Sequence, residues 1–156
     1  MIFSTVLGAV ILCPVLLAIS VWDIRRYRIP DSLSLPLLAA GLVFAWAFSE
    51  LRFADHVIGA TVGFGVLALF GEVYFRLRGR DGLGLGDAKL MGAAGAWLGW
   101  GGLPFLLLVA SLTGLAIAVA VPRYRREARI PFGPCIALAF LLVWMVGAPG
   151  HPPLWR

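Results

Sequence analysis

The chain has 156 residues, 61% of them hydrophobic and 13% charged, with a formal net charge of +5. A soluble domain carries roughly a quarter charged residues, so this composition excludes a water-soluble globule. No polar domain is present to carry a basic groove, so a nucleic-acid partner is excluded too. The chain reads as an all-α integral membrane protein, a single domain over residues 1–156, in which the placement of the basic residues matters more than their sum.

The N-terminus is apolar from Ile2 for about 20 residues without a basic leader or a small-residue cleavage site, which fits a spanning helix better than a signal peptide. The first span is expected over residues 2–22, with Pro14 inside it, and it ends at Asp23. A short basic loop, Ile24-Arg25-Arg26-Tyr27-Arg28-Ile29-Pro30-Asp31-Ser32, follows. Asp31 or Ser32 is the expected N-cap of the second span, residues 33–48. A short polar turn leads to the third span, residues 56–75, where Gly59 and Gly63 stand at the spacing used for close helix packing. Near its end, Glu72 and Arg76 are set for an i,i+4 ion pair.

The second basic loop, residues 76–86, contains Gly82, Gly84 and Gly86 at alternate positions and runs into Asp87. The apolar segment after it, residues 88–100, is too short to cross a bilayer, which takes about 20 residues. Part of the glycine stretch is therefore expected inside the membrane, against protein. Gly92, Ala93, Gly95, Ala96 and Gly99 leave this fourth segment nearly bare, so it is expected to be the central, tightly packed helix. Residues 103–121 form the fifth span. A third basic loop over residues 122–130 leads to Pro131-Phe132-Gly133-Pro134, which opens the sixth span and is followed by a proline-rich tail.

The architecture expected is therefore a bundle of six transmembrane helices. Eleven of the 13 basic residues fall in the first, third and fifth loops or just beside them, against Arg52 and Arg156 on the other side. The positive-inside rule puts those loops in the cytoplasm and both termini outside.

Cys13 and Cys135 lie singly in apolar runs and read as buried thiols. His56 and His151 flank apolar segments singly and read as interfacial polar residues. Neither pattern supplies a metal site, and no cofactor is expected.

Asp23 and Asp87 fall on the same side of the membrane at a similar depth. Asp87 has two readings, an N-cap or a functional ionisable group at membrane depth. Asp23 resists a structural explanation, because an acid at a helix C-terminus faces the negative end of the macrodipole. Snorkelling toward the loop arginines is its bland alternative. Two carboxylates held close together share a proton, one acting as base and the other as acid, and such a pair can activate water for attack on a peptide carbonyl.

These residues carry a resemblance. Gly84-Leu85-Gly86-Asp87, extended by Ala88-Lys89-Leu90 and by Gly95-Ala96-Trp97-Leu98-Gly99, resembles the Gly-x-Gly-Asp motif of the type IV prepilin peptidases. Asp23 followed by a basic stretch and Ile29-Pro30-Asp31 matches that family's first aspartate, and Pro131 to Pro134 matches the start of its last helix. The resemblance implies an aspartic endopeptidase of the bacterial inner membrane that cuts the leaders of type IV prepilins or type II secretion pseudopilins. The cut falls after a glycine, at the cytoplasmic boundary of the substrate helix. It carries the catalytic roles onto Asp23 and Asp87. Gly84 and Gly86 would let the loop pack closely and admit substrate, beside Pro30 and Asp31. Lys89 would bias the acids, contact substrate or simply snorkel. Bifunctional members carry an additional N-terminal region with paired Cys-x-x-Cys motifs linked to N-methylation. Nothing in this sequence matches it, so a short-form peptidase without methylation is expected.

Two rivals use the same residues differently. A small proton-coupled transporter would employ the aspartates as an ion relay, and a non-catalytic scaffold of a pilus or secretion assembly would not need them. A phosphate-binding loop is excluded, because Asp87 stands where such a loop needs lysine. The sequence leaves the oligomeric state open.

Overall fold

The computed structural model describes residues 2–49, 51–79, 84–121 and 131–147. The expectations for Gly82, His151, the loop over 122–130 and the tail fall outside them. The described residues form six α-helices and no strand: α1 (Ile2–Arg26), α2 (Asp31–Phe48), α3 (Phe53–Arg78), α4 (Leu85–Leu98), α5 (Leu103–Ala120) and α6 (Gly133–Val146). A single 3₁₀ turn, Trp100–Gly102, joins α4 to α5.

Four stretches are long and apolar enough to cross a membrane, Phe3–Arg26, Asp31–Phe48, Phe53–Leu77 and Trp100–Ala120. Their outer faces carry large bare side chains, among them Trp46 at 79% and Leu77 at 78% exposure. In water such a surface would drive association; facing lipid it is the ordinary exterior of a membrane protein.

α4 is the opposite. Every residue from Leu90 to Leu98 is buried, and α2, α3, α5 and α6 all pack on it. Its glycines and those of α3 interlock. A Cβ on Gly95 would run into the Gly59 carbonyl, one on Gly59 would come within 2.6 Å of the Gly95 carbonyl oxygen, and one on Gly63 within 2.7 Å of the Met91 carbonyl oxygen. Bare glycine backbone on both helices is what permits this crossing. On another face Trp97 lies over Gly41, donates from Nε1 to the Leu37 carbonyl at 2.9 Å, and stacks on Phe44 with centroids 4.8 Å apart. The edge-on Trp144 ring, 6.3 Å away, extends this aromatic core to α6 and rests over Gly8 of α1.

Several boundaries differ from the sequence expectation. α1 runs on to Arg26, so Asp23 lies inside its last turns rather than beyond its end. Arg25 and Arg26 in the final turn favour this extension by opposing the negative end of the dipole. The turn after it is tight, because Tyr27 adopts φ 51° and its N–H bonds to the Asp23 carbonyl at 2.7 Å. α3 starts at Phe53 and ends at Gly79, whose φ of 63° makes it the left-handed residue that closes the helix. The cap of α2 is Pro30, not Asp31 or Ser32. Asp31 is instead the first helical residue, with its carboxylate committed elsewhere. α4 begins at Leu85, three residues before the apolar run, which brings Gly86 and Asp87 into its first turn.

Candidate active site

Two short helices, α4 and α6, start at the same end of the molecule, each beside an aspartate. Asp23, on α1, is 5% exposed. Its Oδ2 accepts a hydrogen bond from the Gly133 N–H at 2.9 Å, at the first residue of α6. That contact resolves the difficulty the sequence posed. Asp23 does sit near the negative end of α1, but it faces the positive end of α6, where free N–H groups and the helix dipole favour an anion.

Asp87 is the third residue of α4 and half-buried. Its carboxylate lies beside Gly84, the residue that caps the helix. Asp87 is therefore not the N-cap that one reading of the sequence gave. The carboxylates of Asp23 and Asp87 lie close enough to act on each other electrostatically. The Cys135 thiol, in the first turn of α6, lies within reach of both.

The residues around the pair separate into those that hold it and those beside it. Gly86 packs on the loop after α1: a Cβ there would stand 2.9 Å from Ile29 Cβ and 3.3 Å from the Ile29 nitrogen. A close approach requires glycine at that position. Gly84 has no such neighbour, since a Cβ would meet only Asp87 Oδ2 at 3.5 Å and the Gly86 nitrogen at 3.8 Å. Lys89 donates to Asp31 Oδ1 at 2.6 Å, tying α4 to the start of α2 across the same loop. Pro30 and Asp31 border an open hollow whose wall also includes Trp22, Arg26, Arg28 and Ile29. There the Arg26 guanidinium lies 4.7 Å from the centre of the Trp22 ring, a cation–π contact that keeps both at the rim.

Sequence reasoning gave Gly133 no role of its own. The signal was the unexplained dipole at Asp23, which demanded a compensating positive group. His56 also departs from expectation. It is 2% exposed, not interfacial, and it lies at the far end of α4, between Ser49 Oγ at 2.7 Å and the Ala96 carbonyl at 3.0 Å. A carbonyl can only accept, so Nδ1 carries the proton that bonds Ala96, and in the neutral ring Nε2 accepts from Ser49. The Leu51 N–H donates to the same hydroxyl at 3.1 Å.

Comparison with known proteins places these residues in a family. The model of the type IV leader peptidase family matches residues 10–119, a stretch that includes both aspartates and stops before Gly133. The prepilin leader peptidase/N-methyltransferase of Aeromonas hydrophila is 41% identical over 143 residues, covering 88% of this chain and 49% of that protein. The protein of the same name from Burkholderia pseudomallei (strain K96243) is 43% identical over 148 residues, covering 92% and 47%. That from Escherichia coli (strain K12) is 43% identical over 128 residues, covering 81% and 57%. The chain thus spans about half the length of the curated relatives it matches. No solved structure matches it. With a family model aligned over more than two thirds of its length and relatives above 40% identity across most of it, the chain belongs to the type IV leader peptidase family.

Proposed function

We propose that this chain is a membrane aspartic endopeptidase that removes the leaders of type IV prepilins or type II secretion pseudopilins, with Asp23 and Asp87 as its catalytic pair. The observation that carries this reading is the convergence of two acids from distant parts of the sequence, Asp23 held by the backbone N–H of Gly133 and Asp87 in the first turn of α4. Buried and half-buried carboxylates at one place are costly in a membrane protein and mark function.

In the mechanism, one carboxylate accepts a proton from a water molecule while the other, protonated, donates to the oxygen of the scissile carbonyl. The water oxygen bonds to the carbonyl carbon, and the tetrahedral intermediate collapses as its C–N bond breaks and a proton passes to the leaving amine. The shared proton lets one site act as base and acid in turn. Nothing in this sequence of steps calls for a metal or cofactor.

The rest of the reading concerns placement. The six helices form one domain, a six-span bundle of the bacterial inner membrane, with α4 as its short inner member. The excess of arginine at the aspartate end puts that end at the cytoplasmic face and both termini in the periplasm. The same arginines attract anionic lipid. A substrate helix reaches the aspartates sideways from the bilayer, and the hollow bordered by Trp22, Arg26 and Pro30 receives the leader beyond it. Gly86 brings the loop close, and the Lys89–Asp31 pair fixes the loop's far side.

The test is incubation of the purified chain in detergent with a prepilin carrying its leader, and mass spectrometry of the products. A new N-terminus immediately after the leader glycine is the expected result. An intact substrate alongside folded, monodisperse protein contradicts the proposal.

A further inference from the structure

We infer that Gly133 is a positioning residue for this reaction: its N–H fixes the Asp23 carboxylate, and its missing side chain is the space in which that carboxylate lies. The inference rests on the reading of Asp23 as catalytic.

Three observations support it. A Cβ built on Gly133 would stand 2.8 Å from Asp23 Oδ2, 3.0 Å from Cγ and 3.2 Å from Cβ, so its three nearest neighbours all belong to one side chain. Asp23 is too deeply buried to yield by swinging into solvent. Backbone conformation does not call for glycine, since Gly133 is not among the described residues with positive φ. At the first position of a helix, alanine would in fact be the better helix former. What selects glycine at this position is therefore Asp23.

The N–H itself is held in place from α5. A Cβ on Gly114 would lie 3.2 Å from the Phe132 ring, so Phe132 is seated on that bare glycine. The Phe132 carbonyl accepts from Cys135 and Ile136 at 3.0 and 3.1 Å, and Pro134 fills a first-turn position that needs no donor. The first turn of α6 is thus fixed on both sides of Gly133, and its free N–H points at Oδ2. Oδ1 takes no part in this bond.

The test combines kinetics with a stability cycle on the full chain in detergent. Gly133→Ala is expected to lower kcat about a hundredfold or more, the scale of a misplacement of about 1 Å, while KM stays within about threefold. It is also expected to lower Tm, and adding Asp23→Ala should restore Tm to the value of Asp23→Ala alone, because the clash then has no partner. If Gly133→Ala does not accumulate, recovery of folded protein by the double variant supports the inference, and failure of the double variant to fold overturns it. A raised KM with unchanged kcat overturns it in favour of a substrate contact. Cleavage by Gly133→Ala within threefold of wild type, with Asp23→Asn inactive, overturns it and leaves the catalytic pair standing. Near wild-type cleavage by Asp23→Asn overturns both.

Discussion

The two ends of α4 meet the same problem, a helix terminus inside an apolar bundle, with opposite chemistry. At the C-terminal end the solution is neutral and closed: His56 satisfies the Ala96 carbonyl, Ser49 satisfies His56, and Leu51 satisfies Ser49. At the N-terminal end the groups are ionisable. Asp87 lies in the first turn, Lys89 pairs with Asp31, and Asp23 accepts from Gly133. A carboxylate that accepts one N–H keeps several further lone pairs, so this end retains capacity for water and substrate, whereas at the other the donors of His56, Ser49 and Leu51 are all paired. Along a single helix, then, one terminus is closed by neutral groups and the other lies beside the proposed catalytic pair.

If that division holds, substitutions at the two ends should separate activity from stability. The largest effect is expected at the reactive end. Asp87→Asn should remove about a thousandfold or more of the cleavage rate, the scale of a lost general acid–base group, with Tm nearly unchanged. In the wild type, the rate should pass through a maximum with pH, because the pair works only with one proton shared between two sites; a pH–rate profile checks this.

The packing between the ends comes next. Gly95→Ala forces a methyl into the Gly59 carbonyl, and overpacking of this kind costs about 1–3 kcal/mol or more. Gly65→Ala, on the same α3 but with nothing within 4 Å of its Cβ, should be neutral or stabilising by up to about 1 kcal/mol. Thermal unfolding of the two variants in one detergent would break the assignment if both behaved alike.

At the closed end, His56→Ala leaves the Ala96 carbonyl unpaired, at a cost of about 1–3 kcal/mol. Its KM and the kcat of its folded fraction should match wild type, which activity corrected for unfolded protein would reveal. The smallest effect belongs to Lys89→Met. Its pair with Asp31 is partly exposed, and such pairs contribute about 0.2–1 kcal/mol. A modest loss of stability with a severalfold change in rate fits a loop tether. A KM raised more than tenfold would instead mark Lys89 as a substrate contact.

Much of this was legible in the residues. The apolar runs located the helices, and the bareness of Gly92, Gly95 and Gly99 identified α4 as central, because glycine without a side chain has few uses other than close approach. Helix ends were harder. Asp23 and Arg25 look like loop residues on a hydropathy scale, yet a helix that gains favourable cations in its last turn continues through them. The pairing of Asp23 with Gly133 lay beyond sequence reading, since it depends on how α1 and α6 stack. Only the unfavourable dipole hinted that a partner was needed. His56 was misread for a similar reason. A histidine at the start of a span looks interfacial until α4 supplies, from far along the chain, the carbonyl that buries it.

The central claim is that Asp23 and Asp87 act as one catalytic pair, and the most direct measurement is cleavage of a model prepilin by wild type, Asp23→Asn and Asp87→Asn under identical conditions. Asparagine keeps the size and an acceptor oxygen but cannot carry the shared proton. The expected result is cutting after the leader glycine by wild type and background rates for each variant, with all three proteins equally folded. Cleavage by either variant within tenfold of wild type would contradict the pair.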